Sequence, residues 1–172
     1  MSYTIREGVK DDCAAIEQLI KELAVYERMP DGPKIDRTIL ERDGFGDGPT
    51  GRLFRTFVAQ LDDDNSKQIV GYALYFYKYS TWEGKGIWLE DLYVRPEYRG
   101  KSIGLSLFGA VANQAVLEDC CRLEWNCLDW NQSSICFYKK LNGVDLTESE
   151  GWHTFRLTPE HFRQLANKYG QQ

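Results

Sequence analysis

The sequence predicts an α/β protein with a mixed sheet covered by helices on both faces. Three observations carry that expectation. Apolar segments of strand and helix period alternate in the order β-α-α-β-β-β-α-β-α-β, followed by a last helix. An apolar strand ending at Val94 runs through a turn containing Pro96 and Gly100 directly into a helix at Ile103. Finally, 172 residues with 42% hydrophobic and 27% charged content suit one globular domain, 1–172, with a sizeable core.

The elements follow in order. Residues 3–6 read as a first strand. Asp11 and Asp12 supply an N-terminal cap and dipole partner for a helix over 13–27, with Ile16, Leu19, Ile20 and Leu23 on its buried face. Pro30-Asp31-Gly32-Pro33 ends it, and a short helix over 36–43 gives way to a turn-rich loop at 44–49. Residues 54–61 and 68–79 form two antiparallel strands joined by a polar hairpin loop at 62–66, and 85–94 is the next strand. A helix over 103–117 turns Leu105, Phe108, Val111 and Ala112 inward. A buried strand at 122–128 precedes a helix over 131–141, capped by Asn142-Gly143. A strand at 152–157 and a helix at 159–169 complete the chain.

Composition removes several functions. A net charge of -5 without a clustered basic face disfavours nucleic-acid binding. No apolar run reaches the ~20 residues of a membrane span, and residues 1–6 read as a strand rather than a signal peptide. Five cysteines, odd in number and without a Cys-x-x-Cys pair, read as reduced, mostly buried thiols of a cytoplasmic protein. Two histidines, His153 and His161, are too few for a typical zinc site, so no metal is expected.

The chemistry concentrates in Glu-Asp-Leu-Tyr-Val-Arg-Pro-Glu-Tyr-Arg-Gly-Lys-Ser-Ile-Gly, residues 90–104. A strand, tight turn and helix start gather backbone N–H groups and the positive end of a helix dipole, which suits an anion and a diphosphate best. The upstream carboxylates Glu90 and Asp91 suit a cation. Adjacent strand residues face opposite sides, so only one of the two can point at a given pocket unless a bulge intervenes. Gly100-Lys101-Ser102 ends like a P-loop, but Arg95 stands where its first glycine belongs, and no Gly-x-Gly-x-x-Gly is present. Arg-x-x-Gly/Ala-x-Gly fits as Arg99-Gly100-Lys101-Ser102-Ile103-Gly104, with Ser102 in place of the middle glycine. In this the chain resembles the GNAT superfamily of acetyl-CoA-dependent N-acetyltransferases.

The resemblance extends through Ala24-Val25-Tyr26-Glu27, Asp43-Gly44-Phe45-Gly46, Leu89-Glu90-Asp91-Leu92-Tyr93-Val94, Phe137-Tyr138-Lys139 and Glu150-Gly151-Trp152 to the spermidine/spermine N-acetyltransferase group. Tyr79-Ser80-Thr81-Trp82, Leu128-Asp129-Trp130-Asn131-Gln132 and Asp145-Leu146-Thr147-Glu148 resemble its thialysine N-epsilon-acetyltransferase branch most. The resemblance implies a central, mostly antiparallel twisted sheet and acetyl-CoA as co-substrate. The backbone of Leu92, Tyr93 and Val94 would pair with the pantetheine arm, and one of their N–H groups would polarise the thioester carbonyl. Gly100, Lys101, Ser102, Ile103, Gly104 and Leu105 would receive the pyrophosphate, with Arg99 or Lys101 adding charge. Asn131, Gln132, Ser133 and Ser134 would close on the cofactor. Tyr138 matches the family's general acid, and Glu90 lies near the substrate and could relay its proton through water. Tyr26, Glu27 and Glu150 match substrate-side positions, and Trp82 and Trp152 match aromatic positions beside the site. A homodimer is implied as well.

Ser80 stands where polyamine-acetylating relatives carry an acid, which favours a shorter amine such as thialysine or a lysine-like amino acid over spermidine or spermine. Arg28 or Lys78 is a candidate partner for its α-carboxylate. No cysteine has a base-paired nucleophile setting, so attack by the amine is expected to be direct, in a ternary complex. A non-catalytic acetyl-CoA-binding module is the alternative of another class.

Overall fold

A computed structural model describes residues 2–48, 51–62 and 67–170. Parts of the expected loops at 44–49 and 62–66 lie outside the described residues. The chain divides into two compact units, Met1–Leu128 and Asp129–Gln172.

The first unit holds β1 (Tyr3–Glu7), α1 (Cys13–Tyr26), α2 (Arg37–Phe45), β2 (Arg55–Leu61), β3 (Ile69–Ser80), β4 (Gly84–Val94), α3 (Ile103–Leu117) and β5 (Leu123–Trp125). The strands form one sheet in the order β1-β2-β3-β4-β5. Neighbours are antiparallel except β4 and β5, which are parallel. β3 reads as a nearly continuous apolar run because the middle of the sheet is covered on both faces. On one face Ala59, Val70, Ala73, Ile87 and Leu89 pack with Ile103, Leu107 and Val111 of α3. On the other, Val58, Tyr72, Leu74 and Tyr93 pack with Ile16 and Leu19 of α1 and Leu40 of α2. Each such fully buried large side chain contributes about 1.5–3 kcal/mol.

α1 ends in a Schellman motif: Arg28 N–H donates to the Val25 carbonyl and Met29 N–H to that of Ala24. Arg28 takes the left-handed conformation, φ 64°, that this turn requires. The turn fixes Tyr26 and Glu27 at the end of the helix. Asp12 does not cap α1 with its side chain. Its carboxylate instead accepts both terminal nitrogens of Arg6, at 2.7 and 2.8 Å, and the Val9 N–H at 2.9 Å, tying the helix start to β1.

The second unit holds α4 (Gln132–Lys140), α5 (Leu146–Glu150) and α6 (Pro159–Tyr169). The Asn131 side chain caps α4 by accepting the Ser134 N–H. Asn142, at φ 61°, closes α4 as expected, with Gly143 N–H on the Tyr138 carbonyl and Asn142 N–H on that of Lys139.

Several expectations change. The strand at 152–157 does not form, since a strand needs a ladder partner and the second unit contains none among the described residues. β5 is limited to the three residues that pair with β4 and is half-buried. Leu105 is exposed, and Leu107 takes its place inward, one helical turn from both Ile103 and Val111. α5 was not foreseen, although Asp145 accepts the Thr147 and Glu148 N–H groups as an ordinary cap. Only Cys13 among the cysteines is buried; Cys120 is half-buried, and Cys121, Cys127 and Cys136 are exposed.

Candidate active site

The centre of β4 departs from regular pairing. Leu74 faces Asp91 while Tyr75 faces Leu89, so Glu90 is an extra residue in the ladder. This bulge breaks the strict alternation of the strand, and Glu90 and Asp91 both line one cleft of about 380 Å³. The cleft wall is otherwise largely apolar, including Ile20 of α1, Ile39 of α2, Phe54, Leu74 and Phe76. An apolar trough with two adjacent carboxylates suits a cation on an aliphatic stem.

The two acids differ. Glu90 is exposed and accepts the Trp88 indole N–H at 2.8 Å. Asp91 is half-buried and accepts the hydroxyl of the fully buried Tyr72 at 2.8 Å. Burial pushes the Asp91 carboxyl up to about 6, the Tyr72 hydrogen bond acts against that rise, and the charges of Glu90 and Glu27 add to it. Burial also raises Glu27, at the end of α1. The charges of two neighbouring carboxylates, Glu27 and Glu90, thus bear on the carboxyl of Asp91. Sequence reasoning chose Glu90 and passed over Asp91, because its partner Tyr72 stands on the paired strand, 19 residues away.

The anion side follows β4. Beyond Leu89 the strand has no β5 partner, so residues 90–94 present a backbone edge on that side, while Leu92, Tyr93 and Val94 stay paired to Ala73, Tyr72 and Gly71 on the other. An acyl chain with amide groups fits such an edge as an added strand. In the loop, Gly100 has φ 73° and Ser102 φ 64°. Ser102 therefore adopts the left-handed conformation of the glycine it replaces, at a cost of about 1 kcal/mol. The first bond within α3 runs from Ser106 N–H to the Ser102 carbonyl, so the N–H groups of Ile103, Gly104 and Leu105 point out of the helix end. A Cβ at Gly100 would meet nothing within 4 Å, and one at Gly104 only Val94, at 3.9 Å. The loop is open where a diphosphate would sit, and its residues fit that group.

Other expected residues have firm local positions. Arg99 Nε donates to the Val94 carbonyl at 2.8 Å, and its guanidinium lies over the rings of Tyr26 and Tyr93. Lys101 lies over the Tyr98 ring. Lys78 is committed to Glu124 at 2.6 Å and to the Trp88 ring, which removes it as a partner for a substrate carboxylate. Ser80 is buried, accepts the Trp82 and Glu83 N–H groups across the β3–β4 turn, and does not line the cleft. Trp82 is 86% exposed at that turn.

The remaining expected residues belong to the second unit. Asn131 caps α4, and Gln132, Ser133 and Ser134 form its first turn, with the Gln132 side chain on the Asp129 carbonyl. Tyr138 lies in the last turn of α4, its ring edge-on to Phe137 at 5.2 Å and its carbonyl held by the helix cap. Glu150 ends α5 and accepts the Trp152 indole N–H at 2.6 Å. Among the described residues no group of three or more His, Cys, Asp or Glu is arranged to hold a metal ion.

A strand with a central bulge, an open edge beyond it and a diphosphate-ready helix start define an acyl-CoA-dependent transferase architecture. Residues 16–143 match the acetyltransferase (GNAT) family, and the chain belongs to that family. It is 44% identical to thialysine N-epsilon-acetyltransferase of Bos taurus, over 95% of this chain and 97% of that relative. It is 37% identical to spermidine/spermine N(1)-acetyltransferase-like protein 1 of Homo sapiens, over 95% of this chain and 24% of that relative. An integron cassette protein from the mobile metagenome of V. cholerae shares the fold with a TM-score of 0.73, at 22% identity, over 96% of this chain and 98% of its own. The chain is accordingly an N-acetyltransferase, with acetyl-CoA as its co-substrate.

Proposed function

We propose that this enzyme acetylates the side-chain amine of a small cationic amino acid of the thialysine type, held in the cleft beside β4. The observation that carries the reading is the β4 bulge, which turns the adjacent carboxylates Glu90 and Asp91 onto the wall of one cleft. Full-length relatives named for thialysine support the substrate class. The preference over polyamines rests on those relatives and not on Ser80, whose hydroxyl serves the β3–β4 turn.

Acetyl-CoA supplies an activated thioester carbonyl. Every other part belongs to the chain. The N–H groups of Ile103, Gly104 and Leu105 and the dipole of α3 hold the diphosphate, with Lys101 adding charge. The open edge of β4 at Leu92, Tyr93 and Val94 aligns the pantetheine arm and offers an N–H to the carbonyl oxygen. Glu27, Glu90 and Asp91 draw in the ammonium group, and Ile20, Phe54 and Phe76 line its aliphatic stem. Asp91, with a pKa of about 6, is matched to accept the amine proton near neutral pH, and Glu90 offers a more solvated route through water. Tyr138 donates a proton to the departing thiolate, Asn131, Gln132, Ser133 and Ser134 close on the cofactor, and Glu150, Tyr26, Trp82 and Trp152 complete the amine side. The reading takes residues 1–172 as one catalytic domain, supported by a family match that spans the boundary between the units. It includes a cytoplasmic homodimer and no metal.

Initial rates of CoA release with thialysine, lysine, spermidine, spermine and putrescine test it. Strongest turnover with thialysine supports the reading. Strongest turnover with spermidine replaces it with the polyamine alternative, and acetyl-CoA binding without turnover on any amine would restore the binding module.

A further inference from the structure

Two arginines that follow β4 strap the C-terminal half of α1 to the diphosphate loop. Arg95 holds Glu22 through Nε at 2.9 Å and a terminal nitrogen at 2.9 Å. Four residues further along both segments, the Arg99 guanidinium lies 4.9 Å from the centre of the Tyr26 ring. Glu22 and Tyr26 are one turn apart on the same face of α1, and both straps meet that face. The same Arg99 group lies 5.5 Å from the Tyr93 ring and donates through Nε to the Val94 carbonyl at 2.8 Å. One planar cation therefore touches the end of α1, the edge of β4 and, through its own backbone, the turn leading to Gly100 and Ser102. Glu27, the next residue after Tyr26, is one of the acids whose charge bears on Asp91.

We propose that Arg99 is a positioning residue that couples the two halves of the site: occupancy of the diphosphate loop fixes the end of α1 and tightens amine binding. This rests on the amine reading above. The physical basis is the shape of the group. Planar guanidinium lies over aromatic faces while its Nε donates in plane, whereas a lysine ammonium supplies charge but cannot satisfy both contacts together. A bound diphosphate that orders residues 99–102 lowers the cost of holding Tyr26 and Glu27 in place for the amine, and linkage requires the amine to tighten the cofactor by the same factor.

Calorimetry on the full chain tests the coupling, with thialysine titrated into protein alone and into protein saturated with CoA, which permits no turnover. The wild type is expected to bind thialysine about fivefold or more tightly with CoA present. In Arg99→Lys that ratio falls to about one, each variant being compared with itself in the absence of CoA. Tyr26→Leu loses the ratio too, and Tyr26→Phe, which keeps the ring, retains it. Those two variants leave Arg99 and the loop chemistry in place, so a loss in Tyr26→Leu is not a loss of a phosphate contact. A ratio near one in the wild type, or an undiminished ratio in Arg99→Lys or Tyr26→Leu, overturns the proposal. Wild-type turnover measured in parallel separates the two readings: turnover without coupling removes only the clamp, and absence of turnover on every amine removes the amine reading and the clamp with it.

Discussion

The hydroxyl of Tyr72 on β3 donates to the carboxylate of Asp91 on β4 at 2.8 Å, beneath the bulge that projects Glu90. Tyr72 has no exposed surface, so this bond holds Asp91 from the sheet side and leaves its carboxyl turned to the cleft. Burial raises both partners, the tyrosine well above its usual value and the aspartate to about 6.

Asp91 is a cost to the empty protein. Its folded value, about 6, lies above its unfolded value of 3.8. Its contribution is therefore fully present below about pH 4 and is lost as pH rises through about 6. The penalty at neutral pH is at most about 3 kcal/mol for a shift of this size. Asp91→Asn, which can still accept from Tyr72, is expected to raise stability in urea unfolding by about 1–3 kcal/mol at about pH 8 and to change little at about pH 4. Equal effects at both values would show that Asp91 carries no burial penalty.

Tyr72→Phe removes the bond that opposes the rise of Asp91. The acidic limb of kcat/KM, expected near pH 6, should move upward in this variant and vanish in Asp91→Asn. The lost hydrogen bond also costs about 1 kcal/mol of stability. An acidic limb at the same position in all three proteins would assign the proton to another group, with Glu90 next in line.

Ser102 holds a left-handed backbone that glycine adopts without penalty. Ser102→Gly is expected to stabilise the protein by no more than about 0.5 kcal/mol, the relief of strain being partly offset by the added freedom of the unfolded chain. Urea unfolding at one pH reads this, and a loss of stability would mean that the serine side chain compensates for the strain.

Tyr138→Phe tests the general acid. The expected loss is about 100-fold in kcat, with KM for acetyl-CoA nearly unchanged. An unchanged kcat would exclude proton donation by this phenol from the rate-limiting step.

The order of elements along the chain through β5 and most boundaries were legible because apolar period is a local property. β2, β3 and β4 fall within one residue of expectation, and α3 begins and ends where its pattern does. The turn at Gly100 and Ser102 and the helix start at Ile103 were legible for the same reason, being written in consecutive residues. Asp91 was not. A bulge is a property of two paired strands, and the partner that buries and bonds this carboxyl comes from β3. Ser80 was read through the acid it lacks, as a sign of a shorter amine; its own hydroxyl is occupied by the turn it stabilises, and the residue does not line the cleft. The expected strand at 152–157 had the right composition but no ladder partner within its unit.

The central claim is direct transfer from acetyl-CoA to a thialysine-type amine with both bound at once. Initial rates of CoA release, measured over a grid of acetyl-CoA and thialysine concentrations, test it most directly. The account predicts double-reciprocal lines that intersect, as a ternary complex requires. Parallel lines would mean an acetyl-enzyme, and no CoA release at any thialysine concentration would contradict the assignment of the cleft.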